Sequence, residues 1–99
     1  MKLTAIILNH LPRKIIEPTL KSISFVDKII IIHDSNSPYD SPKSTKSVEV
    51  ITKPLSSFAT QRNFAIGKAK TDWVLFVDSD EIISSSLRLE IKKTIKRDD

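Results

Sequence analysis

The sequence predicts an α/β fold, a mostly parallel four-stranded sheet with helices on both faces. Two observations carry this. The runs at residues 5–8, 29–32 and 73–77 are short and continuously apolar, as strands covered on both sides must be. Between and after them lie stretches whose apolar residues recur at helical spacing, so the order reads strand, helix, strand, strand, helix, strand, helix.

Each element has its own local reason. "KLTAIILNH" is a first strand, apolar and rich in β-branched residues until it meets Asn9 and His10. Ile15, Ile16, Leu20 and Ile23 then recur at helical spacing, with Pro18 expected close to the helix start. "DKIIIIHD" is a second strand. "SNSPYDSPKSTKS" is dense in turn formers and predicts a loop, and "VEVIT" a short third strand. "SSFATQRNFAIGKAK" predicts a helix opened by Ser56 or Ser57 as N-cap. "DWVLFVDSD" is the fourth strand. A last amphipathic helix is expected from about residue 85 to 96, with Leu87, Ile91 and Ile95 on one face. No repeat or linker divides the chain, so residues 1–99 are expected to form one domain.

Composition narrows the function classes. Apolar residues make up 39% of the chain and charged ones 28%, the profile of a globular domain. Without cysteine there are no disulfides or thiolate metal sites, so any metal must be a hard cation held by oxygen or by the two histidines. The apolar runs are far shorter than the roughly 20 residues a bilayer span needs, and no signal-peptide pattern follows Met1. A cytoplasmic address is the default, with peripheral attachment to the inner face of the membrane as an addition. The net charge of +4 fits a solvated surface, an anionic ligand such as a nucleotide, or acidic lipid headgroups. No nucleic-acid partner is expected.

Three of the strands end in polar residues: Asn9 with His10, then Asp34, then Asp78 with Asp80. Ligands of open α/β sheets bind beyond the carboxyl ends of the strands, so these residues should gather on one rim. In "FVDSDE" the two aspartates are two apart and face the same way in extended chain. There they could hold Mg²⁺ or Mn²⁺, which would relieve their mutual repulsion and bind a diphosphate. The plainer alternative is a solvated turn leading into the next helix. In the preceding helix Phe58, Ala59, Ala65, Ile66 and Ala69 form an expected apolar stripe with Arg62 in its middle. A guanidinium so placed needs a carboxylate or an anionic ligand. The only glycine, Gly67, falls inside this helix, where either close packing or simple tolerance explains it. Glycine-rich phosphate loops are excluded.

These residues together resemble the GT-A-fold glycosyltransferases of family two, and among them the lipopolysaccharide-core glycosyltransferases. "SSFATQRNFAIGKAKTDWVLFVDSDE" carries the resemblance, with "AIILNH" and "VDKIIIIHDSNS" in support. It implies a truncated GT-A fold, Rossmann-like, of the nucleotide-diphospho-sugar transferase kind. It further implies that Asp78 and Asp80 bind the metal, Asp78 also binding the nucleotide together with Asn9, Asp34 and Arg62. The partner would be a nucleotide-diphospho-sugar, with a glycan or lipid-linked acceptor, such as a cell-envelope glycan, if the chain belongs to a longer parent. In the family the general base of this inverting transfer comes from sequence beyond these elements. Glu81 is the only nearby substitute, and it is not expected to serve. "DSNSPYD" also departs from the family pattern, with Pro38 and Tyr39 where Thr and Asp are usual. The alternative is a non-catalytic nucleotide-binding or oligomerisation module, dimerising through an exposed edge strand.

Overall fold

The computed structural model describes residues 3–54 and 57–97. Its elements follow the predicted order: β1 (Leu3–Asn9), α1 (Arg13–Ser22), β2 (Lys28–Asp34), β3 (Val48–Lys53), α2 (Phe58–Lys68), β4 (Trp73–Phe76) and α3 (Ser85–Arg97). All pairings are parallel, and the strands lie in the order β3-β2-β1-β4. Lys2 and Ser56, assigned from sequence to the first strand and to a cap, lie outside the described residues.

β1 and β2 form the centre of the sheet and are apolar on both faces because both faces are covered. On one side Ala5, Ile7, Ile29 and Ile31 pack with Ile16 and Ile23 of the α1 segment and with Ile83 and Ile91 at α3. On the other, Ile6, Ile30 and Ile32 pack under Ala65, Phe64 and Ala69 of α2. Ile6, Ile7, Ile30, Ile31 and Ile32 are fully buried. Each contributes about 1.5–3 kcal/mol of transfer free energy.

Parallel neighbours need a long crossover, usually a helix. β2 and β3 are joined instead by residues 35–47, the predicted loop of turns, which Ile29 N–H to Ser47 C=O (2.9 Å) and Thr45 N–H to Val48 C=O (2.8 Å) tie to the strands. From β3 the chain returns through α2, and β4 adds on the far side of β1.

Two helices differ from expectation. Pro18 sits in the middle of α1 rather than near its start, since the helix already begins at Arg13. Proline has no N–H to give the carbonyl four residues back, so α1 lacks a bond there. In α2 the buried face is turned away from the predicted stripe. Gln61 and Ala65 are buried and Phe64 half-buried, while Ala59, Ile66 and Arg62 are exposed. The side chain of Phe58 lies outside the description. Ser57 is the N-cap, its Oγ accepting from Thr60 N–H.

Candidate functional site: the carboxyl rim of the sheet

β4 passes into an acidic turn. Val77 N–H still donates to Ile6 C=O at 3.0 Å, and then Glu81 N–H closes a turn onto Asp78 C=O at 3.0 Å. Between the two aspartates, Ser79 is buried while Asp78 and Asp80 are exposed. Exposure therefore alternates, with the serine inward and both aspartates open to solvent, although residues 79–80 form a turn rather than the extended chain expected from sequence.

Ser79 is what the sequence reading missed. Its hydroxyl donates to Leu8 C=O at 3.2 Å, and its own carbonyl accepts from the buried Thr19 hydroxyl at 2.7 Å. Two residues after the turn, Ile83 N–H donates to Ser22 Oγ at 3.0 Å. The acidic turn is thus fastened at its middle to β1 and at two points to α1. Serine's small donor and acceptor suit this position, but in "DSD" it looks like an ordinary turn residue.

Asp78 N–H donates to Glu81 Oε1 at 3.3 Å, so Glu81 helps to close the turn. Ser84 Oγ accepts from Leu87 N–H at 3.1 Å and caps α3. The turn reading and the metal reading are therefore compatible in one segment. Neither aspartate carboxylate takes a hydrogen bond or ion pair from another described residue. No cluster of three or more His, Cys, Asp or Glu that could hold a metal exists among the described residues. A pair of free carboxylate oxygens suits a Mg²⁺-like ion, which takes one or two carboxylates and fills its shell with substrate phosphates and water.

Beside the turn lies a concavity of about 210 Å³ in which Asp78 and Glu81 meet Arg62, with Ile6, Leu8 and Phe76 as its floor. The Arg62 guanidinium lies 4.6 Å from the centroid of the Phe76 ring. The sequence reading placed it in the middle of an apolar stripe, whereas the structure places it at the edge of α2 over an aromatic face. Stacking leaves its N–H fork open to an anion.

Asp34 ends β2 on the same rim, two strand spacings or about 10 Å from β4. Its Oδ1 accepts from Asn36 N–H at 3.0 Å and shapes the start of the loop. Asn9 is brought to the rim as well, but it is fully buried and employed internally. Its Nδ2 contacts Leu11 C=O and His33 Nδ1, both at 3.0 Å, and its Oδ1 accepts from Leu11 N–H at 3.2 Å. His33 Nε2 then donates to Tyr39 C=O at 2.9 Å, which fixes the tautomer that leaves Nδ1 as acceptor. Both residues serve the architecture of the rim, and His10 is exposed.

Residues 4–98 match the profile of glycosyl transferase family 2. The chain belongs to that family. It is 30% identical over 93 residues to an uncharacterised glycosyltransferase of Rickettsia bellii (strain RML369-C), covering 92% of this chain and 32% of that protein. With an uncharacterised glycosyltransferase of Rickettsia prowazekii (strain Madrid E) it shares 32% over 75 residues, which is 74% of this chain and 26% of the other. The crystal structure of S. aureus TarS 1-349 superposes with a TM-score of 0.72 at 22% identity, over 98% of this chain and 33% of TarS. The fold is accordingly a truncated GT-A fold. The chain spans about a quarter to a third of the length of the curated relatives it matches.

Proposed function

We propose that this chain is the donor-binding portion of a glycosyltransferase, taking a nucleotide-diphospho-sugar through Mg²⁺ or Mn²⁺ at Asp78 and Asp80. The observation that carries the proposal is the outward aspartate pair on a turn pinned by Ser79, beside a concavity shared with Arg62. A bound cation would neutralise the diphosphate as it leaves. Asp78 and Asp80 supply hard oxygen ligands, and Arg62 adds a positive fork for a phosphate on the same side of the sheet. Asp34, across β1, faces the nucleoside end. Asn9 acts through the residues it holds, Leu11 and His33. The acceptor is a glycan or a lipid-linked glycan of the cell envelope, and its general base lies outside the residues named here. No described helix is long and apolar enough to cross a membrane.

Titration calorimetry with UDP, GDP and CMP, with and without Mn²⁺, tests this directly. Heat that requires both a nucleotide and the metal is expected, and Asp80→Ala should weaken it at least about 10-fold, or 1.4 kcal/mol. Because no group of three or more His, Cys, Asp or Glu able to hold a metal is found among the described residues, Mn²⁺ alone should bind weakly. Absence of metal-dependent heat with every nucleotide rejects the assignment.

A second reading, assembly through the edge of the sheet, is favoured by the position of β4, whose outer side has no neighbouring strand among the described residues. Light scattering distinguishes it, since a concentration-independent monomer excludes pairing through β4.

A further inference from the structure

At the opposite end of the sheet from the acidic turn, α3 overhangs a groove of about 500 Å³. Leu3, Phe25, Leu89 and Ile95 give it an apolar floor, and Lys92, Lys93 and Lys96 rim it. Leu3 begins β1, and the Asp27 carboxylate, which also lines the groove, accepts from Leu3 N–H at 2.9 Å just before β2, which locates the groove at the amino ends of the strands. Leu89, Lys92, Lys93 and Lys96 are spaced i, i+3, i+4 and i+7, so they form one stripe along the helix. This stripe is distinct from the one that carries the half-buried Ile91 and the buried Ile95 into the core. Leu89 is 55% exposed. None of the three lysines makes an ion pair among the described residues.

We infer that this face docks on an anionic lipid bilayer. An exposed leucine and an apolar trough flanked by three unpaired ammonium groups match a surface that offers acyl chains below a layer of negative headgroups. Polyanions such as nucleic acid would satisfy the lysines but would have no use for the apolar floor, so the lipid surface is the better complement. Docked there, the rim of Asp78 and Asp80 points away from the bilayer. The inference is independent of the nucleotide reading, since it involves none of the same residues.

Co-sedimentation with vesicles, measured without nucleotide or metal, tests it. The chain should bind vesicles of equal phosphatidylcholine and phosphatidylglycerol, release as salt is raised, and ignore pure phosphatidylcholine. Reversing the rim (K92E, K93E and K96E together) should weaken partitioning at least about 100-fold, from roughly 1 kcal/mol for each lysine at an anionic surface. Leu89→Ser, at an exposed position, should weaken it several-fold with an unchanged circular dichroism spectrum. Equal binding to neutral vesicles, or none to anionic ones, overturns the inference. So does a Leu89→Ser chain that binds like the parent while duplex DNA competes fully, because the face would then be a general polyanion surface. If the triple variant unfolds, the salt dependence and the Leu89 variant still decide.

Discussion

The central strands and the edge strand are built from similar residues but do different work. Six of the seven residues of β1 are buried, whereas all four of β4 are half-buried. The centre gives the domain its stability; the edge leads into an acidic turn that is open to solvent. The two regions meet in a small polar seam of Thr19, Ser79, Ser22 and the Leu8 carbonyl. Stability and the proposed binding chemistry should therefore be separable except at that seam, and mutation can test how cleanly.

The largest effect should come from the centre. Ile30→Ala removes a fully buried side chain covered by α2 and should cost about 2–5 kcal/mol in chemical denaturation, whereas Val74→Ala in half-buried β4 should cost clearly less. Equal losses would show that the edge is as much a part of the core as the centre. Next comes the seam itself. Thr19→Val keeps the shape but strands the Ser79 carbonyl, an expected loss of about 1–3 kcal/mol, and it should also weaken Mn²⁺-dependent nucleotide binding. A loss of stability with binding unchanged would detach the acidic turn from its anchor. Smaller still is Gly67→Ala. A Cβ there meets nothing within 4 Å and the backbone has no positive φ, so the substitution should stabilise by about 0.5–1 kcal/mol and leave binding untouched. Arg62→Ala should change stability by a similar amount in the opposite direction, a loss of about 0.5–1 kcal/mol from its exposed stack on Phe76. Its effect on nucleotide affinity should be the greater of the two.

Much of this was legible before any coordinates. The runs in β1 and β2 announced a sheet covered on both faces, and the polar strand ends announced an acidic rim at which Asp78 and Asp80 are both exposed. Ser57 appeared among the expected caps. What was not legible depended on tertiary partners. Helical periodicity could not show that Gln61 would be buried, bonded through Nε2 to Pro54 C=O at 2.8 Å, and that the apolar Ile66 would face solvent. That exchange turns α2 and moves Arg62 from the core side to a ring at the rim. Asn9 lay at the right end of the right strand, yet its bonds to Leu11 and His33 arise from a register, Asn9 opposite His33, that sequence alone does not fix. Ser79 was hidden by its ordinariness.

The fastening of residues 79 and 83 to Thr19 and Ser22 has one more consequence. These bonds tie α1 to the acidic turn, so a strain introduced at Pro18, the neighbour of Thr19, should reach the turn that carries Asp78 and Asp80. The helix that looks like mere scaffolding is what holds the acidic turn in place.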